Sequence, residues 1–348
     1  MRVISPVLWL LFILCLPMKV DGQHFNIHNP LTLPDKSQRS TTTQRIGYTD
    51  VTVIYHSPGA NGREIWGDLV PYGKVWRIGA NTNTTFSVTD TVQIGGQTLA
   101  AGTYGLHLLP EEDQWTFIFS KNHTSWGSYF YQEAEDALRF TANVEAAPEE
   151  RNWMSIDFHT RDRAETSVVL TWGDKRARFD ISLDIDSIAL QNIRNQLRSD
   201  AYWEWFSWCQ AADYCAQYEI NTEEALEWID RSIEMEENFR NWDVKEKLLT
   251  QMGDAQGAKQ AIARAIEVGS DVHLERYGRR LLQQQKYERA IFVFEQALEK
   301  NDQYWRAHLN KGKALQAMGS EIEALAAFKE ALKNAPENNK KQIADLIK

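Results

Sequence analysis

The chain is poor in the residues that build covalent or metal frameworks. Its 348 residues contain three cysteines, and one of them, Cys15, lies in the first apolar run. Cys209 and Cys215 are six residues apart in a stretch that reads as helix, so their Cα atoms lie about 9 Å apart along its axis. That exceeds the reach of a disulfide, about 7 Å, so the two are not partners unless that helix breaks; two cysteines alone make no metal site. Basic residues are outnumbered, 38 against 48 acidic, for a net charge of −10. No general electrostatic grip on nucleic acid or on an anionic membrane follows from such a balance. Long hydrophobic runs are also missing. The longest, Val7 to Leu16, falls far short of the ~20 residues that a spanning helix needs.

What is present at that end is the layout of a secretory leader: Arg2, the apolar run, then Val20-Asp21-Gly22 with a small residue suited to cleavage. Residues 1–22 are predicted to be a signal peptide, Cys15 leaves with it, and the protein is expected to be exported, periplasmic or extracellular, with no integral span after cleavage. Residues 23–47 are polar, with Pro30, Pro34 and Ser40-Thr41-Thr42-Thr43, and are expected to be a flexible tether.

From residue 48 to 186 short segments rich in β-branched and aromatic residues alternate with Gly, Pro, Asn and Asp turns. Nine or ten strands are expected. The clearest are 51–55, 75–79, 84–89, 102–109, 114–120, 138–144, 153–159, 166–172 and 177–185. Trp115, Phe117 and Phe119 share one face by period two, as do Met154, Ile156 and Phe158, and Phe179, Ile181, Leu183 and Ile185. The fold class is multidomain: an all-β antiparallel sandwich, jelly-roll-like, then an all-α solenoid over 187–348. In that second half Gly278, Ala290, Phe294, Ala297 and Leu298 recur 34 residues later as Gly312, Ala324, Phe328, Ala331 and Leu332. Weaker copies lie at Gly253, Ala258, Ile262, Ala265 and Ile266, and at Ala225, Ile229 and Ile233. About four stacked helical hairpins plus a capping helix follow from this spacing, which resembles the tetratricopeptide repeat. Tyr202, Trp203, Trp205, Phe206 and Trp208 cover nearly every side of the first aromatic helix, which is expected to wedge between the halves.

The most distinctive stretch runs from Trp66-Gly67-Asp68 through Lys74-Val75-Trp76-Arg77-Ile78-Gly79-Ala80-Asn81, followed by Gly102-Thr103-Tyr104-Gly105-Leu106, Trp115-Thr116-Phe117-Ile118-Phe119 and Trp126-Gly127. Over about residues 44–185 it resembles the exported bacterial family catalogued as domain of unknown function 2911, members of which also carry helical repeat tails. The resemblance implies no established activity and no catalytic residues. Family members usually carry a Ser-Arg pair between the tyrosine and proline matching Tyr55 and Pro58, where this chain has His56-Ser57.

Candidate ligand-binding residues are Trp66, Lys74, Arg77, Asn81, His107, Trp126 and Tyr129. Lys74, Arg77 and Asn81 put two cations and an amide within eight residues. Arg77 serves either as a fork for a ligand carboxylate or phosphate, or as a structural partner of Asp68 or Asp157. His107 lies on the strand face opposite Leu106 and Leu108. Trp66 and Trp126 each precede a glycine, and with Tyr129 they offer flat rings for a sugar or other planar ligand, or else plug the sandwich ends. The sandwich histidines His56, His107, His123 and His159 show no metal-ligand spacing, and no nucleophile-elbow Gly-x-Ser-x-Gly occurs. No metal and no cofactor is expected. The leading expectation is an exported, non-enzymatic binding or scaffold protein of the bacterial envelope, its repeat groove holding a peptide or protein and its sandwich a carbohydrate or small anion. The rival is an envelope hydrolase or isomerase working on a carbohydrate or small anionic substrate through Arg77, His107 and Asp157, which requires those three to converge.

Overall fold

The computed structural model describes residues 34–347. The predicted leader and the first part of the predicted tether lie outside the described residues.

Ten strands form the first half among the described residues: β1 (Gln38–Ile46), β2 (Thr49–Ser57), β3 (Thr84–Val88), β4 (Val92–Ile94), β5 (Gln97–Leu99), β6 (Gly102–Pro110), β7 (Gln114–Ser120), β8 (Asp136–Asn143), β9 (Glu145–Thr160) and β10 (Glu165–Ser182). They make two antiparallel sheets, ordered β1-β2-β3-β6-β7-β8 and β5-β4-β10-β9. The larger sheet is a meander that β4 and β5 leave to join the smaller one. Period-two alternation in β2, β3 and β7 turns Val51, Val53, Phe86, Phe117 and Phe119 inward to meet Ile156, Leu170, Phe179 and Ile181 of the facing sheet in one core. Phe179 sits at its centre, with ring centroids 4.9 Å from Phe117 and 5.5 Å from Phe119.

Three expectations about the sandwich half are corrected. The tether prediction fails over Gln38–Ile46, because Thr41, Thr42 and Thr43 pair with Ile54, Val53 and Thr52 of β2, and Thr42 Oγ1 donates to the Ile156 carbonyl at 3.2 Å. β-Branched threonines suit a half-exposed edge strand, and their polarity hid it. The strand expected at 75–79 is reduced to one antiparallel bridge between Trp76 and Leu108, because Ile78 (φ 49°), Gly79 (φ 137°) and Asn81 (φ 56°) turn the chain out of extended geometry. The last two expected strands are one, β10, with a register break at Gly173 (φ 62°).

Ten helices follow among the described residues: α1 (Ile185–Gln196), α2 (Trp205–Tyr218), α3 (Thr222–Met235), α4 (Phe239–Gln251), α5 (Ala255–Val268), α6 (Asp271–Gln283), α7 (Tyr287–Lys300), α8 (Trp305–Ala317), α9 (Glu321–Asn334) and α10 (Glu337–Ala344). Asp184 caps α1 by accepting from the Ser187 amide at 3.0 Å, so Ile185 opens a helix rather than closing a strand. Helices α2 to α9 form four hairpins, and α10 buries Ile343 against Ala331 and Ala335. Gly278 and Gly312 lie against the rings of Phe294 and Phe328, which explains why those four residues repeat together. No helix among the described residues is long and apolar enough to cross a membrane.

The wedge between the halves is α1, not the aromatic helix. Its Ile185 and Ile188 pack on the sandwich core, and its Leu190 and Ile193 on the core of the first hairpins. Trp205 and Trp208 join that second core, whereas Trp203 is exposed.

Candidate functional site

The turn at Trp76 to Asn81 builds the site. Trp76 stays in the sheet row, exchanging both backbone hydrogen bonds with Leu108 at 2.8 and 2.7 Å. Ile78 then enters the core, fully buried, and its carbonyl accepts from the Thr84 hydroxyl. Gly79 passes so close to the His56 carbonyl that a Cβ there would lie 2.8 Å from it, a position only glycine fills. Arg77 is left on the other side. Its guanidinium carbon lies 5.6 Å from the centre of the Trp126 ring, and among the described residues no ion pair or hydrogen bond holds it. The expected structural partners do not take that place: Asp157 binds Arg151 and Ser155 instead, and Asp68 is exposed. Burial without a counter-charge lowers the Arg77 pKa, offset in part by Tyr129.

Beside the turn, residues 121–132 fold over the outer face of the larger sheet. Gly105, His107, Ile118, Ser120, Asp136 and Arg139 alternate with core residues and line up across β6, β7 and β8. They would be wet without this cover. His107 is 1% exposed, bonds Ser128 Oγ at 3.1 Å through Nδ1 and lies 5.4 Å from the Tyr131 ring. Burial pushes its pKa down to about 4, against a small opposing pull from Asp136, so the ring is neutral. Tyr131 donates to Asp136 at 2.8 Å, and Arg139 donates to Asp136 at 2.6 Å. Asn83 donates to Ser125 Oγ at 2.9 Å. Above these polar contacts Trp126 and Tyr129 stack, centroids 6.0 Å apart and planes 6° from parallel, exposed by 56% and 78%; Phe130 beside them is exposed as well.

Buried polar atoms normally find partners. Of seven described ones that find none in the chain, five belong to Arg77, Asn81, Asn83, Glu135 and Asp136, on this turn and at the end of this loop. Polar capacity is concentrated here.

Of the predicted site residues, the structure brings Arg77 to Trp126 and Tyr129, and places His107 under the same loop. Asn81 lies in the turn with its amide nitrogen buried and unpartnered. Trp66 is not part of this site. It is a core residue, its ring 4.1 Å from that of Trp115, its indole donating to the Trp172 carbonyl at 3.1 Å. Lys74 is exposed, on the turn where Gly73 donates to Pro110. Asn83, Ser128, Asp136 and Arg139 were not singled out as site residues by the sequence: Asn83 and Ser128 lie in turn-rich segments that carry no period, and Asp136 and Arg139 are charged positions of β8 that find Tyr131 of the covering loop. The enzyme trio does not converge. His107 lies on the outer face of the larger sheet, and Asp157, next to the core residue Ile156, on the outer face of the smaller one. Among the described residues no group of three or more His, Cys, Asp or Glu side chains is placed to hold a metal ion.

A second candidate site lies on the repeats. Among the first helices α2 approaches α4 and α6 approaches α8, while Phe239 of α4 meets Tyr277 of α6 with ring centroids 5.8 Å apart, so α2, α4, α6 and α8 share one side of the repeats, the concave one. Polar pairs cross that face: Lys247 to Asp213 at 3.2 Å, Arg280 to Asp243, Asn310 to Glu275 at 2.7 Å. Between α4 and α6 a cavity of about 250 Å³ is lined by Phe239, Arg240, Asp243, His273, Arg276 and Tyr277, with Arg280 at its wall. Larger cavities of about 360 and 830 Å³ flank it at the same joint.

Comparison with known proteins agrees with this division. Residues 37–181 match the family described as Protein of unknown function (DUF2911). Residues 278–319 match a TPR repeat family and 306–338 a Tetratricopeptide repeat family. No curated protein matches the chain. Solved structures similar to it include MamA, 18% identical over 44% of this chain and 90% of that one, TM-score 0.31. Others are pilF of Pseudomonas aeruginosa, 19% identical over 41% and 65%, TM-score 0.29, and YrrB, described as a TPR protein with an unusual peptide-binding site, 16% identical over 44% and 81%, TM-score 0.28. The chain carries a DUF2911 domain followed by C-terminal tetratricopeptide repeats.

Proposed function

We propose that this chain is an exported, non-enzymatic scaffold protein in which the repeats hold an acidic peptide segment of a partner and the sandwich holds a small ligand, a carbohydrate or an anion. The observation that carries the repeat reading is the composition of the concave cavity at α4 and α6. Three arginines and two aromatic rings meet a single carboxylate there, in a chain of net charge −10. Arg280 is committed to Asp243, and Arg240 lies over the Phe206 ring at 4.6 Å, 3.8 Å from Asp213. Arg276 has no partner among the described residues. A peptide carboxylate supplies one, while a bulky apolar side chain covers Phe239 and Tyr277.

The test is fluorescence anisotropy with a labelled peptide of alternating Glu and Leu, against the same peptide with Lys for Glu. The acidic peptide should bind with an affinity that falls as salt rises, and Arg276→Glu should weaken it about tenfold or more. Equal binding of both peptides, or no effect of Arg276→Glu, refutes the reading. For the sandwich, the free guanidinium beneath two exposed rings supports a ligand site; the separation of His107 from Asp157 leaves the enzyme reading without its required geometry.

A further inference from the structure

We infer that the sandwich site at Arg77 takes a ring-bearing carboxylate, its acid group on Arg77 and Asn81 and its ring on the Trp126 and Tyr129 faces. The inference rests on the sandwich being a ligand-binding module, and it narrows the ligand to one class.

Two kinds of surface meet at this point. The first is a set of donors without acceptors. Arg77 Nε and Asn81 Nδ2 are buried and bonded to nothing among the described residues, and they come from the two sides of one turn whose shape is fixed by positive φ at Ile78, Gly79 and Asn81. A guanidinium fork and an amide N–H match the two oxygens of a carboxylate. The second is a ring platform. Trp126 and Tyr129 are parallel and open to solvent, and Arg77 lies against Trp126 from beneath. Gly127 between them lets the two surfaces close up: a Cβ there would sit 3.3 Å from Arg77 Nη1 and 3.2 Å from the Tyr129 ring. A ligand held by Arg77 therefore has its remainder beside aromatic faces, where a flat or cyclic body gains contact that a linear one does not.

The charge around the site selects a monoanion. Arg77 is the cation that lies against the ring platform, whereas the carboxylates of Glu135 and Asp136 lie at the far end of the same loop, Asp136 being engaged by Arg139 and Tyr131. A phosphate dianion would bring more charge than Arg77 neutralises and meet repulsion from that end. Asn83 Oδ1, buried and without a donor, offers an acceptor that a ring hydroxyl fits.

The full-length mature protein should be titrated with sodium glucuronate and sodium benzoate, with glucose, acetate and inorganic phosphate as controls, reading tryptophan emission and melting temperature together. Saturable binding of glucuronate or benzoate at least tenfold tighter than glucose, acetate or phosphate supports the inference. Which of the two acids binds tells a sugar ring from an aromatic one. Arg77→Met should abolish the response without lowering the ligand-free melting temperature, Arg77→Lys should keep part of it, and the surface change Trp126→Ala should weaken it without affecting folding. Glucose binding as tightly as glucuronate overturns the carboxylate while leaving the sandwich a ligand module. Acetate equal to the ring acids overturns the ring. Silence towards every probe overturns both the inference and the reading beneath it.

Discussion

Replacing Gly312 with alanine tests the packing rule that makes the repeat. Gly312 lies inside α8, where an added Cβ would stand 2.5 Å from Phe328 Cε1, 2.6 Å from Cδ1 and 3.2 Å from the Ala324 carbonyl oxygen. On helix propensity alone, Gly→Ala in a helix interior stabilises by about 1 kcal/mol. Against that gain stands overpacking of a closed seam, which costs roughly 1–3 kcal/mol. Phe328 is only 2% exposed and cannot swing into solvent, and the Ala324 oxygen is backbone, so the upper half of that range applies and a net loss of about 1–2 kcal/mol is expected. In a Phe328→Leu background the obstructing ring is gone. There the same Gly312→Ala change should recover most of its propensity gain, giving a coupling energy of about 2–3 kcal/mol in a double-mutant cycle. Urea melts followed by far-UV circular dichroism on the four proteins supply the numbers. If Gly312→Ala stabilises the parent, or if the cycle shows no coupling, then the recurrence of Gly with Phe at 34-residue spacing is not a contact rule and the packing account of these hairpins is wrong.

His107 makes stability pH-dependent. Its folded-state pKa of about 4 lies below the ordinary ~6.5 of an unfolded chain, so in that window the unfolded state binds more protons. Stability is therefore full above about pH 6.5 and falls as the pH drops towards 4, by on the order of 3 kcal/mol at most. Denaturant midpoints measured across that window should flatten in His107→Gln; an unchanged slope contradicts the burial argument. Cys209 and Cys215 are both buried, and burial pushes each thiol up to about 11, so almost no thiolate exists near neutral pH. Native protein should resist alkylation at pH 8 and react at both cysteines once unfolded in urea; prompt labelling of the native form contradicts the buried placement.

What the residues disclosed depended on whether their signal was periodic. Trp115, Phe117 and Phe119 alternate, and they are the core face of β7; Gly278 and Gly312 repeat, and they mark the hairpin seams. His107 was placed opposite Leu106 and Leu108 by the same arithmetic, and the structure has it there. β1 was invisible because a polar edge strand is recognised only by the strand it pairs with, β2. The segment around Ile78 was misread because β-branched and aromatic residues argue for extension, while the tertiary approach of Gly79 to the His56 carbonyl forces a turn. The cover over His107 was beyond reach for a related reason: Ser128 and Tyr131 find their partners on other strands, and nothing local marks that contact.

The same logic decides how the two halves are joined. A helix that served only the repeats would carry one apolar stripe, but α1 carries two, Ile185 and Ile188 on one side and Leu190 and Ile193 on the other. Gly47, with φ 60°, lies so close to Ile185 that a Cβ would be 2.6 Å from its side chain, so the β1–β2 turn is shaped to receive the helix. Around it the β9–β10 loop sends Arg163 to Asp186 of α1 and over the Tyr218 ring of α2 at 4.0 Å. The first stripe is completed by the sandwich and the second by the repeats, so a cut on either side of α1 exposes apolar surface that the intact chain buries. The sandwich turn at Arg77 and the concave side of the repeats at Arg276 are thus joined through one shared helix, its Ile185 and Ile188 on the first core and its Leu190 and Ile193 on the second.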